Sequence, residues 1–486
     1  MNQEIRQLEP KVLWDKFADL NAVPRPSKKE ERVIKFMVDF GTSLGLETFK
    51  DAVGNVIIRK AATSGMENRK TITLQSHLDM VHQKNSETQF DFDVEGIKMF
   101  VQEDWVKAEG TTLGADNGIG VATIMALLES TTIAHPALEA LFTIDEETGM
   151  TGAMGLQSGV LQGEILLNLD TEEDDEIGIG CAGGIDVTAS RKYNEVEMPR
   201  NYKAYKLSVT GLQGGHSGMD IHKGLGNANK IMNQILLYGT GKADMALLEI
   251  EGGGLRNAIP RESFSVIGVP QTEAPAFEES IKEKVNEIKK DFKVLEPALE
   301  ITMDTADLPG KCADRTFQEQ LFNALEKAHN GVYSMSASME GLVQTSNNLA
   351  RVMVKGGEMK VGCLTRSSVN TEKMELADLL RTTFEEMDCE VSYSGDYPGW
   401  NPNPDSAILK VLVSRYETLF NETPNVAACH AGLECGILGQ NYPDMDMISF
   451  GPTIKGAHSP DERVNIPSVK KYWKFVLEVL EHTPEA

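Results

Sequence analysis

Residues 71–81, TITLQSHLDMV, decide how this chain is read. Ile72, Thr73 and Leu74 form a run too short for a helix and rich in strand formers, which predicts a buried strand. That strand runs into His77, and Asp79 follows two residues later. Positions i and i+2 of an extended segment share a face, so both side chains can approach one point. A metal-binding imidazole commonly hands its second ring nitrogen to a carboxylate, and Asp79 is placed for that. A strand-end histidine capped by a carboxylate explains the same pair.

Outward from this strand the pattern alternates. Residues 56–58 predict a strand, 118–129 a helix, 138–144 a strand, 151–157 a helical turn and 165–169 another strand. Upstream, Trp14, Phe17 and Leu20 keep helical spacing until Pro24 and Pro26, and Ser27 with Glu30 reads as the cap of a second helix. Strands alternating with helices predict an α/β fold around a largely buried sheet. The Gly-rich GIGCAGGID (178–186) reads as a hinge, since no dinucleotide-binding helix follows its GxGxxG pattern. Beyond it, strand and helix segments suggest ferredoxin-like α+β subdomains, two of them, though no sequence repeat marks them. At GDYPGWNPNPDS (395–406) the chain breaks again, and a helix over 406–419, a strand over 445–450 and a helix over 467–482 resume the first pattern. The expected division is one discontinuous domain, 1–185 with 397–486, interrupted by an inserted domain at 186–396.

Lys and Arg total 47 against 73 Asp and Glu, a formal charge of −26. Such a surface repels phosphate backbones and anionic lipid, so neither nucleic acid nor membrane is an expected partner. No apolar run reaches the roughly 18 residues of a membrane span. The charged N-terminus lacks the apolar core of a signal peptide. Six scattered cysteines without CxxC spacing suit a reducing compartment, and the expected location is cytoplasmic.

The residues that carry chemistry recur at the ends of these strands. Asp116 stands in TTLGADNGIGVATIMALLE (111–129), just before an apolar helix, where a simple N-cap is the plain alternative. IDEETG (144–149) ends a strand with Asp145, Glu146 and Glu147, and like charges so placed repel unless a cation or shared proton relieves them. Asp170 ends ILLNLD, and His458 follows a strand in FGPTIKGAHSPDERV (450–464). Each alone has an ordinary explanation in a solvated turn. Together they occupy the sheet end where open α/β folds bind ligands. Two imidazoles and three carboxylates suit two zinc-like ions that share one carboxylate. His430 and Glu434 in CHAGLECG (429–436) are four apart and could meet on one helical turn, though the glycine-bounded segment reads rather as pocket lining. His82, His135, His222, His329 and His482 have no supporting neighbours in sequence.

HLDMV, the Ala115-Asp116-Asn117 turn, DEETG, NLD and AHSPDE follow one another as in the co-catalytic di-zinc peptidases that include aminoacylase and carboxypeptidase G, and the chain resembles that family over essentially its whole length. The long insertion, its GGHSG and the AHSPDERV tail resemble most closely the family's aminoacyl-histidine dipeptidase branch, the carnosinase-like Xaa-His dipeptidases. The resemblance implies a phosphorylase/hydrolase-like α/β/α catalytic domain with a mixed sheet and an inserted α+β lid. It implies two Zn2+ per subunit, with Co2+ or Mn2+ as alternatives. Asp116, joined to Asn117 by a cis peptide, would bridge the metals; His77 and Asp170 would complete one site, Glu147 and His458 the other. Asp79 would orient His77, and a metal-bridging water would be activated by Glu146. His216, in TGLQGGHSGMD (210–220), would stabilise the oxyanion from the lid, while Asn257 and Arg366 would hold the substrate's terminal carboxylate. A solvated strand-end arginine is the alternative for Arg366. The implied activity is hydrolysis of dipeptides, Xaa-His and carnosine included, by a monomer or a homodimer. A broader dipeptidase, an N-acyl amino acid deacylase or carboxypeptidase, and a non-catalytic metal-dependent binding protein are the rival readings.

Overall fold

The Ile72–His77 strand is buried at every position and runs parallel to both neighbours, Leu138–Thr143 and Ile165–Asn168. A strand with helices over its faces has no solvent side, which is why its residues do not alternate apolar with polar. Asp446–Ser449 adds a fourth parallel strand beside Ile165–Asn168. Antiparallel pairing of Glu47–Lys50 with Val56–Lys60, and of the latter with Leu138–Thr143, completes one side. Glu176–Cys181 and Asn425–Cys429 complete the other, giving a mixed eight-stranded sheet.

The computed structural model describes residues 2–307 and 310–486. The chain forms two units: one takes residues up to Gly180 with Trp400–Ala428 and Leu433–Ala486, the other Cys181–Gly399 with Cys429–Gly432. In the first unit the Ala115–Glu129 helix packs on the Ile72–His77 strand and on the Lys11–Leu20 helix. It is buried almost all round, as its uninterrupted apolar sequence requires. Ala407–Phe420 packs against Ile466–Glu481 and the Asp446–Ser449 strand. A separate four-stranded sheet joins Met99–Gln102 and Trp105–Ala108 to the hairpin of Ile454–Lys455 and Arg463–Asn465, whose loop carries His458.

In the second unit, nine antiparallel strands form one sheet. The expected pair of separate subdomains does not occur. Ala246–Gly253 pairs with Val343–Lys355, joining what would otherwise be two open edges with unpaired backbone groups. Helices Ala228–Thr240, Ala274–Asp291, Arg315–Lys327 and Asn370–Glu385 share a single apolar core with that sheet. GIGCAGGID lies in the strands Glu176–Cys181 and Gly183–Lys192.

Ser27 is not a helix cap. The second helix begins at Glu31 without a side-chain cap, and the Ser27 hydroxyl donates instead to Asp79 Oδ2 at 2.8 Å. No disulfide joins the six cysteines. Among the described residues no helix is long and apolar enough to cross a membrane.

Candidate metal centre

Parallel strands deliver their C-terminal ends to one edge of a sheet. Here the register pairs His77 with Thr143 and Gln75 with Asn168, so the segments leaving these strands start level with one another. They carry Asp79, Glu146 with Glu147, and Asp170. Below them a chain of buried polar side chains ties the strands together. Glu434 Oε2 accepts from Gln75 Nε2 and Thr143 Oγ1, both at 2.6 Å. Gln75 Oε1 accepts from Asn168 Nδ2, and Asn168 Oδ1 from Ser449 Oγ, each at 2.5 Å.

His77 Nε2 lies 3.1 Å from Asp116 Oδ1 and 3.6 Å from Asp170 Oδ1. His458 Nε2 lies 2.9 Å from Glu147 Oε2 and 3.3 Å from Asp116 Oδ2. Asp116 therefore faces an imidazole with each of its oxygens. Potential ligand atoms of His77, Asp116 and Asp170 lie within 4.8 Å of one another, as do those of Asp116, Glu147 and His458, and those of His77, Glu146 and Glu147. The Asp116–Asn117 peptide is cis, and Asn117 Nδ2 donates to Leu169 O at 2.7 Å and to Asp170 Oδ1.

Asp79 has a double task. Its Oδ1 is 3.4 Å from His77 Nδ1 and accepts the Glu146 N–H at 3.0 Å, while Oδ2 accepts the Glu147 N–H at 3.3 Å. One buried carboxylate thus orients the imidazole and the backbone of both glutamates. Asp145, the third acid of IDEETG, turns elsewhere: it accepts from Lys28 Nζ at 2.5 Å, from Thr151 Oγ1 at 2.6 Å and from Thr148. The three carboxylates that looked like one cluster in sequence are split between a loop anchor and the site.

The electrostatics show what this arrangement lacks. Burial pushes Glu146 well above the usual carboxylate range, with the charges of Asp170, Glu434 and Glu147 adding to it. Burial also raises Glu147 and Asp170. Hydrogen bonds to Asp116 and Glu147 push His458 up to about 11, and against burial His77 is likewise raised by Asp170 and Asp116. Four carboxylates around two imidazoles call for more positive charge than the side chains supply. Divalent cations bound by nitrogen and carboxylate oxygen would supply it, so the donor set fits a dinuclear zinc-type centre.

The sequence profile of peptidase family M20/M25/M40 matches residues 73–482. The chain belongs to this family. It is 41% identical over 481 residues to the cytosol non-specific dipeptidase of Escherichia coli strain K12, covering 99% of each chain. The crystal structure of aminoacylhistidine dipeptidase from Vibrio alginolyticus superposes with a TM-score of 0.94 at 41% identity, over 100% of this chain and 99% of that one. Aminopeptidase PepT from Bacillus cereus shares the fold alone, with a TM-score of 0.57 and 16% identity over 98% of each chain. The mixed α/β fold is thus that of an M20 peptidase, and the chain is a peptide-bond hydrolase. M20 peptidases depend on metal.

In the second unit of this M20 peptidase, His216, Asn257 and Arg366 lie in one neighbourhood. The His216 backbone bridges to Ala258, and Ser217 N–H donates to Asn257 O at 2.8 Å. Arg366 is buried, with Nε 3.4 Å from Ser217 Oγ and Nη1 donating to Tyr397 Oη at 2.8 Å. His216 Nδ1 accepts the backbone N–H groups of Gly218 at 3.2 Å and Met219 at 3.0 Å. An imidazole that accepts at Nδ1 carries its proton on Nε2, so His216 is set as a neutral donor. Burial, with Arg366 adding to it, keeps its pKa below the ordinary value.

His430 and Glu434 do not share a helical turn. The helix begins only at Glu434; His430 Nε2 contacts Ser346 Oγ at 2.7 Å in the second unit, whereas Glu434 belongs to the first. A Cβ on Gly218 would meet His430 O at 2.0 Å, so that glycine allows the His216 loop to pack on this segment. His135, without sequence neighbours of note, is a buried histidine bonded to Pro136 O at 2.7 Å. The sequence pattern did not single out Gln75, Tyr397, Arg25 or Glu462, and it read Glu434 as pocket lining, not as the acceptor beneath the strand ends. A polar residue inside an apolar strand, as Gln75 is, was the one available signal.

Proposed function

We propose that this M20 peptidase is a dipeptidase that prefers Xaa-His substrates, carnosine included, and works in the cytoplasm. The observation that carries the reading is the pair of donor sets sharing Asp116, with Glu146 beside them. We assign His77, Asp116 and Asp170 to one metal, and Asp116, Glu147 and His458 to the other. Two Zn2+, or Co2+ or Mn2+ in their place, would polarise the scissile carbonyl and acidify the attacking water. Glu146 takes the proton from that water and returns it to the departing amine, a role that fits its place beside His77 and Glu147. Asp79 holds Glu146 and His77 in register through their backbone and ring nitrogens. His216 donates Nε2–H to the developing oxyanion. Asn257 and the Arg366 guanidinium hold the substrate's terminal carboxylate, for which the planar fork of arginine is suited.

The preference for histidine draws on the Vibrio alginolyticus relative, and the Escherichia coli relative, named non-specific, supports a broader dipeptidase as the second reading. Hydrolysis of β-Ala-His, Gly-His, Gly-Leu and N-acetyl-His by metal-depleted and zinc-restored enzyme separates the readings. Metal-restored cleavage of the two His dipeptides alone is the expected result. Equal cleavage of Gly-Leu establishes the broad dipeptidase and cleavage of N-acetyl-His a deacylase, while silence on all four overturns the dipeptidase reading.

A further inference from the structure

Glu462 lies four residues beyond His458 and is almost completely buried. Its carboxylate is spent on four consecutive backbone amides of the loop that leads to Asp116. Oε2 accepts from Leu113 N at 2.7 Å and Gly114 N at 2.9 Å; Oε1 accepts from Ala115 N at 2.8 Å and Asp116 N at 3.3 Å. Successive amides that converge in this way form a nest for one anion. Gly114 makes the nest possible, with a φ of 70° and a Cβ position already filled by Arg25 Nη2 at 2.5 Å.

Arg25 holds the same loop by its carbonyls. It is fully buried and donates to Gly114 O at 2.6 Å, to Leu78 O and Asp79 O at 3.1 Å each, and to Asn21 Oδ1 at 3.0 Å. Two buried opposite charges therefore join three loops: the one after His77, the one before Asp116 and the one after His458. Among the described residues, Glu462 belongs to none of the candidate donor sets.

We propose that Glu462 is a positioning residue that sets the distance between Asp116 and His458, with Arg25 fixing the same turn against the His77 loop. This rests on reading Asp116 and His458 as metal ligands. A glutamine at 462 would replace one oxygen by an NH2 group facing two amide donors. The turn would lose one acceptor that serves two amides and gain a repulsion, and Asp116 would shift relative to both imidazoles. Substituting groups that orient metal ligands lowers metal affinity or activity by about 10–100-fold.

The test is zinc affinity of the full-length protein, measured by competition with a chelating dye, together with the visible spectrum of the Co2+-loaded form and the kcat and KM for Gly-His. For folded Glu462→Gln the expected result is affinity lower by about 10–100-fold, an altered Co2+ spectrum, and a fall in kcat with KM little changed. Folded Glu462→Gln with wild-type affinity and spectrum overturns the proposal. If that variant does not fold, Glu462→Asp is measured instead: it keeps the charge but is one methylene too short for all four amides, and wild-type affinity from it overturns the proposal equally. Asp116→Asn is run alongside. Should it retain full metal affinity, the ligand assignment fails; should it alone lose metal, only the role of Glu462 fails.

Discussion

In the first unit His77 and His458 lie against Asp116, Asp170 and Glu147, and both are held above the ordinary histidine range. In the second unit His216 and His430 lie near Arg366, and both are held below it, His430 down to about 3. Burial alone lowers an imidazole, as it does for both members of the second pair. Only the carboxylates of the first unit reverse the sign. The difference separates two kinds of chemistry that look alike in sequence: one pair sits in a site crowded with negative charge, suited to cations, while the other is kept neutral, suited to donating or accepting single hydrogen bonds.

The largest effect that can break this contrast is expected at Glu146. Glu146→Gln keeps the size of the side chain and removes the base, so kcat should fall by about 10²–10⁴-fold while zinc content, read by elemental analysis, stays as in the wild type. Unchanged turnover would remove Glu146 from the mechanism. Arg366→Lys comes next. Lysine keeps the charge but not the fork, and KM for Gly-His should rise by about 10–100-fold with a smaller change in kcat. An equal fall in kcat with KM unchanged would place Arg366 away from substrate binding.

The pH dependence of stability sharpens the comparison from the second unit. His430 titrates at about 3 in the folded chain and near the ordinary 6.5 when unfolded. Between these values the unfolded chain binds more protons, so stability falls as pH drops from about 6.5 towards 3 and is fully present above that window. Between pH 7 and 5 the wild type should lose on the order of 2 kcal/mol more than His430→Asn in urea denaturation. Parallel slopes would mean that His430 is not held neutral. The smallest effect is expected at Ser27. Ser27→Ala removes the hydrogen bond to Asp79 and should cost about 1 kcal/mol without loss of far-UV helix signal. A loss of helix signal would return Ser27 to a capping role.

Much of the first unit could be read directly, because its strands are short apolar runs ending in acids or histidine, and Ile72–His77, Leu138–Thr143 and Ile165–Asn168 lie close to where the pattern puts them. Ser27 misled because a serine three residues before a glutamate has the same spacing whether it caps a helix or bonds a distant carboxylate. In the second unit, the elements between 263 and 327 escaped the pattern, and the pairing of Ala246–Gly253 with Val343–Lys355 has no local signature. Glu462 was visible only as one acid in an acidic turn, since its four partners lie more than 340 residues away.

The sequence by itself determined the order of strands and helices in the catalytic pattern, the residue types at the strand ends and the family to which the chain belongs, since all of these are carried by local spacing and short motifs. Tertiary structure alone decided which acid of IDEETG anchors a loop and which two face His77, that Asp116 meets both imidazoles, and that Glu462 and Arg25 grip the turn before it. The physical reason is that these roles depend on burial and on partners far along the chain, where a buried charge must find its hydrogen bonds and spacing along the sequence does not say where.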